Sequence, residues 1–220
     1  MRPHDVGGRA AWDVLVRDGA LEVLRGDAAV PAGTPVTPSL RAAVLAAELP
    51  TGGVLAGRSA AWVHAGRPLA AQAAGCLDVT YPAGGHRPEI WGAGLVWQAP
   101  LLRGDTVDLR VDLRVDLGLD PGVDPGVVPG PEPGRACVTA PLRTVVDIAL
   151  HVPGDEAAAD LARTLAAACG LDLHDAARLL ERRARVVGRP RARRVLARAR
   201  SGGHTVGPDP SLRAPAAPLA

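Results

Sequence analysis

The chain contains no lysine, and all 25 of its basic residues are arginine. This absence excludes every mechanism that depends on the lysine amine, such as a P-loop phosphate site or a Schiff base. Phenylalanine is also missing, and the aromatic residues are one tyrosine and four tryptophans. A core for these 220 residues must therefore be built mainly from alanine, valine and leucine, which pack closely but supply few bulky anchors.

Cysteine is scarce and is not arranged for metal or disulfide chemistry. Cys76, Cys137 and Cys169 stand singly without a C-x-x-C spacing, so neither a zinc site nor a disulfide framework is predicted. We expect free, buried thiols in a reducing compartment. The sequence shows no signal peptide and no apolar run of membrane-spanning length. These features predict a cytoplasmic protein without a membrane partner.

The first half of the chain has the patterns of both strands and helices. Residues 14–30 alternate around the dipeptide Asp18-Gly19, which predicts a β-hairpin that turns at this dipeptide. Ser39 is the predicted N-cap of a helix over 40–49. A further helix, ended by Gly66, and three short strands are also predicted. The helix covers 58–65, and the strands cover 54–56, 77–81 and 94–98.

A tetrapeptide repeat, drifting from V-D-L-R to V-D-P-G, occupies the middle of the chain. Its proline- and glycine-rich half predicts a disordered insertion at about 107–134, between two strands. The alternative is a metal site made from the repeated aspartates, which are Asp108, Asp112, Asp116, Asp120 and Asp124. These carboxylates share one side only in a helix, and the Val-Asp-Leu alternation argues against a helix. We therefore predict no metal and no cofactor.

The second half of the chain is predicted to be helical. Pro141 suits the first turn of a helix over 141–151. Three more helices are predicted at 155–169, 173–185 and 191–200. Gly188 and Pro190 are the predicted break between the last two, and the tail over 201–220 is predicted to be disordered. The whole pattern predicts an α+β protein with a small mixed sheet and a C-terminal helical section.

Ten arginines are concentrated near the C-terminus, with Glu181 as the one negative charge among them. They are Arg178, Arg182, Arg183, Arg185, Arg189, Arg191, Arg193, Arg194, Arg198 and Arg200. Such a field favours contact with nucleic-acid phosphates or with an acidic partner protein. The structural alternative is a solvated helix face in which codon bias selects arginine over lysine. Because no aromatic residues are interleaved, stacking on single-stranded bases is not predicted.

A first motif, GRSAAWVH at 57–64, contains a serine and a histidine but no catalytic pattern. Ser59 and His64 lie five residues apart on a predicted helix and point in different directions, so a Ser–His pair is not expected. We expect Ser59 to bond to the backbone and Trp62 to pack inward. His64 is predicted to be a satisfied structural histidine, with a contact to a partner as the alternative.

A second motif, TAPLRTVVDIAL at 139–150, places Asp147 on a predicted helix among apolar neighbours. A buried carboxylate needs a partner. Arg143, one helical turn earlier, is the predicted one. This motif is therefore interpreted as a buried helix held by an ion pair.

The segments SLRAAVLAAELPTGGVLAGRSAAWVHAG, LDVTYP and CVTAPLRTVVDIAL together resemble the core of the AbiEi-type antitoxins of type IV toxin–antitoxin systems. GLDLHDAARLLERR and GRPRARRVLARA resemble the C-terminal helices of that family, so the resemblance covers roughly residues 12–200. The residues that carry the motifs are Arg58, Ser59, Trp62, His64, Thr139, Pro141, Arg143, Thr144 and Asp147. The resemblance implies a non-enzymatic antitoxin or regulator that neutralises a nucleotidyltransferase-type toxin through its C-terminal part.

Two departures from the family modify this expectation. The family's winged helix survives here as the hairpin segment LVRDGALEVLRGDAAV, and we expect too few residues before it for the helices that enter a major groove. We also expect no endonuclease-like C-terminal domain, which many relatives carry. The alternatives are a DNA-binding transcriptional regulator that acts through the arginine-rich helices, and a degenerate remnant without function. The predicted parts are a wing hairpin at 1–35, a core at 36–150, C-terminal helices at 151–200 and a tail at 201–220.

Overall fold

The computed structural model describes residues 1–50, 52–66, 76–81, 95–97, 106–110, 135–183 and 186–202. Within these ranges the chain forms seven α-helices and seven strands, and the strands make one two-stranded and one five-stranded sheet. The predicted α+β class is therefore confirmed.

The N-terminal part is a helix followed by a hairpin, and the hairpin predicted over 14–30 is wrong. It consists of helix α1 and strands β1 and β2, which span Arg9–Arg17, Leu21–Arg25 and Ala28–Pro31. The apolar residues Trp12, Leu15 and Val16 lie on one side of α1 and pack against the hairpin. This helical spacing outweighs the strand-like alternation of the same residues.

The dipeptide Asp18-Gly19 ends α1 instead of turning a hairpin. Gly19 has a φ of 71°, a left-handed conformation that glycine adopts without strain. The backbone N–H groups of Gly19 and Ala20 donate to carbonyl oxygens in the last turn of α1, which is the Schellman arrangement of helix ends. The hairpin turns at Gly26-Asp27. An Asp-Gly pair suits both a helix end and a hairpin turn. Here the helical spacing of the apolar residues before the pair determines that it ends a helix.

The five-stranded sheet contains strands from both halves of the chain. Its strands β3 to β7 span Val54–Leu55, Leu77–Thr80, Leu95–Trp97, Thr106–Arg110 and Arg135–Thr139. They lie in the order β5-β4-β3-β7-β6. The sheet is mixed, since β3 runs parallel to β7 and antiparallel to β4. Residues 107–110 of the predicted insertion belong to β6 instead of being disordered, and residues 111–134 lie outside the described residues.

Two helices pack with this sheet: α2 and α3, which span Pro38–Ala46 and Gly57–Ala65. Their buried side chains form a core of alanine, leucine, valine and Trp62. Thr37 caps α2, and the cap predicted at Ser39 is wrong. The Thr37 Oγ1 atom accepts a hydrogen bond of 3.1 Å from the backbone N–H of Leu40. Ser39 lies inside the first turn, after Pro38, where its side chain cannot act as the N-cap.

Four helices complete the described chain: α4, α5, α6 and α7, which span Pro141–His151, Asp155–Cys169, Leu173–Arg182 and Arg189–Ser201. They share one core, rich in alanine, valine and leucine, to which α3 adds Ala61. The start at Pro141 and both ends of the helix predicted at 155–169 are confirmed. Pro190 does not break a helix, because it lies in the first turn of α7, where a missing N–H is tolerated. The predicted tail beyond residue 202 lies outside the described residues.

Candidate functional site

The two sequence motifs lie side by side at one edge of the five-stranded sheet. The first motif forms α3 directly after β3, and the second forms α4 directly after β7. β3 and β7 are adjacent and parallel, with Leu55 opposite Val138, so both helices begin at the same edge. The two helices also pack against each other. The motifs are therefore parts of one structural unit.

A carboxylate from the neighbouring strand β4 holds the N-terminus of α3. Asp78 accepts hydrogen bonds of 2.8 Å from the backbone N–H of Arg58, and of 3.0 and 2.8 Å from its Nε and Nη2 atoms. The Asp78 side chain is 3% exposed and that of Arg58 is 22% exposed. The hydrogen bond to Asp78 raises the pKa of the Arg58 guanidinium. The helix dipole favours an anion at this end, and Asp78 supplies it.

Ser59 and Trp62 have the structural roles predicted for them. The Ser59 Oγ atom is buried and accepts a hydrogen bond of 2.9 Å from the backbone N–H of Asp78. Trp62 packs into the core of the sheet. His64 bonds to a different part of the chain. The serine and the histidine therefore do not form a nucleophile–base pair.

His64 joins the first motif to the second. Its Nε2 atom lies 2.8 Å from the carbonyl oxygen of Thr139, so Nε2 carries the hydrogen and donates it. Burial lowers the pKa of His64 below its ordinary value of 6.5, the bond to Thr139 opposes this, and the charge of Arg41 lowers the pKa further. The Oγ1 atoms of Thr139 and Thr144 lie 2.7 Å apart. A neutral histidine and two hydroxyls therefore hold the end of α3 against the junction of β7 and α4.

The predicted ion pair within α4 is confirmed. The Arg143 Nε atom lies 2.7 Å from the Asp147 Oδ1 atom, and the two side chains are 1% and 0% exposed. Removing one member of such a buried pair destabilises the fold far more than replacing both members with apolar residues does. The pair is therefore part of the helix core. Pro141, another motif residue, is the first residue of the same helix.

Arg41 and Gly66 complete the opposite end of α3. Arg41 is buried, and its Nε and Nη1 atoms donate to the carbonyl oxygens of Val63 and Val36 at 2.9 and 2.6 Å. A cation is favourable at a helix C-terminus. Gly66 ends α3 with a φ of 67°, and a Cβ atom there would lie 2.8 Å from Arg41 Nη1. The left-handed backbone therefore favours glycine, and any side chain here would also have to displace the Arg41 guanidinium.

The arginine cluster near the C-terminus is largely paired with carboxylates. Six of its members lie within 3.9 Å of a carboxylate oxygen, namely Arg178, Arg189, Arg191, Arg193, Arg194 and Arg198. The partners are Asp155 and Glu156 at the start of α5, and Asp175 and Glu181 on α6. The cluster is thus opposed by more negative charge than Glu181 alone.

Several of these pairs hold α7 in place. The Arg191 Nε atom lies 2.8 Å from Asp155 Oδ1, and its Nη atoms donate to three carbonyl oxygens at and just beyond the end of α4. Arg193 makes two hydrogen bonds of 2.7 Å to Glu181, which join α7 to α6. Arg183 is mostly buried. These predicted binding residues therefore have contacts inside the fold, and Arg185 lies outside the described residues.

Arg182 and Arg200 contact no carboxylate among the described residues. Arg182 lines a surface groove of about 420 Å³ on α6, together with His174, Ala177, Arg178 and Glu181. The Arg200 Nη1 atom lies 3.0 Å from the Nδ1 atom of His174. The excess positive charge of the cluster therefore lies beside this groove.

Other kinds of site find little support in the part of the chain that the structure describes. No group of three or more His, Cys, Asp or Glu side chains there is arranged to hold a metal ion. The three cysteines form no disulfide among the described residues, and each is half-buried, which is less buried than predicted. None of the helices there combines the length and the apolar character that crossing a bilayer requires.

Three carboxylates that organise these contacts were not predicted from the sequence. Asp78 is the one charged residue of strand β4, beside Leu77 and Val79, and a charge in such a strand is a signal that a buried partner exists. Asp155 and Glu156 indicate a helix start from sequence, but their arginine partners lie about 40 residues away.

Comparisons with protein-family models, with curated proteins and with solved structures give no match to this chain. The AbiEi-type resemblance therefore stays a prediction that rests on the motif residues.

Proposed function

We propose that this chain is a non-enzymatic AbiEi-like antitoxin or regulator that neutralises a nucleotidyltransferase-type toxin by binding it. One observation carries the proposal: the polar side chains of the two motifs have their partners within the fold. Ser59 bonds to the backbone of β4, His64 to that of β7, and Arg143 to Asp147. A scaffold of this kind presents a binding surface and needs no nucleophile or general base.

The surface that binds the toxin would be formed by α6 and α7. These helices have both cationic and anionic side chains, with Arg182 and Arg200 in excess over the paired charges. Charge of this kind steers association and selects a partner of complementary pattern. A cytoplasmic location, where a toxin of this class acts, belongs to the same proposal.

DNA binding through α6 and α7 is the alternative function. A phosphate backbone is held by several unpaired cations in succession, whereas Asp175 and Glu181 lie among the arginines of this surface. Helix α1, which precedes the hairpin, also carries charges of both signs, because Arg9 pairs with Asp13 and Asp27. This mixture of charges favours a protein partner. We expect a fragment of the chain's own promoter to be retarded no more than random DNA, and promoter-specific retardation with a steep salt dependence would favour the regulator.

Co-expression with a nucleotidyltransferase-type toxin gene from the same genome tests the proposed function. We expect the growth arrest caused by the toxin to be relieved, and unchanged arrest would contradict the proposal. The variants Ser59→Ala and His64→Gln test the non-enzymatic part. If they remain folded, by circular dichroism, they should neutralise as well as the wild type does.

A further inference from the structure

Helix α6 presents a straight row of basic side chains to the groove on its surface. His174, Arg178 and Arg182 are spaced by four residues, so they lie on one side of the helix. All three are exposed, and all three line the groove with Ala177 and Glu181. The groove is shallow and wide open, with a volume of about 420 Å³, so it offers one face to a segment of a partner and does not enclose a small ligand.

The carboxylates beside this row are already engaged. Glu181 accepts two hydrogen bonds of 2.7 Å from Arg193 on α7. Asp175 pairs with Arg178 one turn along α6. In contrast, Arg182 meets no carboxylate among the described residues. The groove therefore keeps a positive excess after its internal pairs are formed.

The far end of the row gains charge from α7. The Arg200 Nη1 atom donates to His174 Nδ1 at 3.0 Å. This bond makes Nδ1 the acceptor of the imidazole, so the hydrogen of a neutral His174 is on Nε2, where it is a donor. Arg200 thus places a cation behind the Nε2 donor of His174 at one end of the row, and Arg182, which meets no carboxylate among the described residues, places a cation at the other.

We propose that this groove binds an acidic segment of a partner protein, whose carboxylates pair with the row from His174 to Arg182. The inference rests on the proposed function, since it names the surface and the chemistry by which the toxin would be held. Four residues of a helix rise about 6 Å. Carboxylates two residues apart on an extended segment lie at about 6.7 Å, and those four apart on a helix at about 6 Å. Either arrangement matches the spacing of the row.

A nucleic acid fits the same groove less well. Among the described residues no Phe, Tyr or Trp side chain lines it, so it lacks the large aromatic platforms on which bases stack. Glu181 lies within the lining and Asp175 beside Arg178, and both would repel a continuous run of phosphates. An acidic protein segment can place its carboxylates at Arg182 and His174 and keep neutral residues opposite Glu181.

Peptide binding by the purified full chain tests the proposal. The probes are a fluorescein-labelled helical peptide with glutamate at every fourth position and the same peptide with glutamine instead, followed by fluorescence anisotropy. We expect the glutamate peptide to bind about tenfold more tightly than the glutamine peptide. The variant Arg182→Gln/Arg200→Gln should lose about tenfold of that affinity.

The matched control is Arg9→Gln/Arg17→Gln, which removes the same charge from exposed side chains of α1, outside the surface that α6 and α7 form. It should bind within about twofold of the wild type, because surface charges away from the groove are screened. Equal loss in both variants, equal binding of both peptides, or no binding of the glutamate peptide would overturn the proposal. Tighter binding of a random DNA duplex that is lost in the groove variant would assign the groove to nucleic acid and overturn it too.

The growth assay separates this proposal from the proposed function. If the groove variant neutralises the toxin like the wild type, the groove is not the toxin surface, and the proposed function stands. If the glutamate peptide binds through the groove but the wild type does not relieve the arrest, the proposed function fails and the groove assignment stands.

Discussion

The Nε2 atom of His64 donates a hydrogen bond to the carbonyl oxygen of Thr139, 2.8 Å away and 75 residues later in the chain. This bond links the last turn of α3 to the residue that ends β7. The parallel pairing of β3 with β7 brings the two elements together. Each motif therefore depends on the other for its local structure, although they lie far apart in sequence.

The stability of the fold should depend on the protonation of His64. Its pKa is lowered in the folded state, chiefly by burial, so the unfolded chain binds the proton first as the pH falls. Stability is then complete above the ordinary pKa of 6.5 and decreases below it. His64→Gln keeps a donor for Thr139 but does not titrate. The wild type should lose stability relative to this variant by up to about 1.4 kcal/mol for each pH unit below 6.5.

Urea unfolding of both proteins between pH 8 and pH 5 measures this difference. Parallel curves for His64→Gln and the wild type would contradict the account of this histidine.

The buried pair Arg143–Asp147 should behave as a unit. Arg143→Met leaves the buried Asp147 without its arginine, and we expect a loss of about 3–5 kcal/mol in the free energy of unfolding. The double variant Arg143→Met/Asp147→Leu should be more stable than Arg143→Met alone, because no buried charge is left. Chemical denaturation of both variants measures the two values.

An exposed pair with the same spacing is the comparison. Arg9 and Asp13 lie 3.0 Å apart, with side chains 64% and 59% exposed. Asp13→Ala should therefore cost at most about 0.5 kcal/mol. A double variant of the buried pair that is no more stable than Arg143→Met would show that packing, and not the isolated charge, dominates there.

Asp78 should stabilise the start of α3. Asp78→Asn removes the charge that Arg58 and the N-terminus of the helix share, so we expect a loss of about 2 kcal/mol. Hydrogen exchange at the Arg58 amide should accelerate, because this amide donates to the Asp78 carboxylate. Asp160→Asn, on an exposed pair with Arg163, serves as the control. Unchanged exchange at Arg58 would contradict the role of Asp78.

Gly66 and Gly170 offer a matched test of the close approach at Arg41. Both glycines end helices in the left-handed conformation, with φ values of 67° and 62°. Alanine at either position should cost about 1 kcal/mol for the backbone alone. Only at Gly66 does the new Cβ atom meet a neighbour, Arg41 Nη1 at 2.8 Å, whereas nothing lies within 4 Å at Gly170.

Gly66→Ala should therefore lower the melting temperature more than Gly170→Ala does. Differential scanning calorimetry of the two variants measures the difference. Equal shifts would mean that the Arg41 side chain moves aside without loss.

Local sequence patterns predicted those elements whose signals lie within a few residues. The helix Pro141–His151 agrees at both ends with its prediction, because proline suits its first turn and its apolar spacing is regular. The ion pair Arg143–Asp147 was predictable for the same reason, since both residues lie on one helix turn. The hairpin turn predicted at Asp18-Gly19 was wrong, because helix ends and hairpins use the same residues.

Contacts between distant segments could not be predicted in this way. The partners of Arg191 and Arg198 are Asp155 and Glu156, which the packing of α7 beside α5 brings close. The bond from His64 to Thr139 depends on the order of the strands in the sheet. Each of these contacts depends on the topology of the whole fold, which a local sequence pattern does not specify.

The central proposal is that the chain neutralises a nucleotidyltransferase-type toxin by binding and not by chemistry. The most direct measurement is the transfer of labelled nucleotide by the purified toxin, titrated with the purified full chain. The account predicts inhibition that becomes complete near a fixed stoichiometric ratio and does not increase with incubation time. No inhibition, or complete inhibition by a small molar fraction of this chain, would contradict the claim.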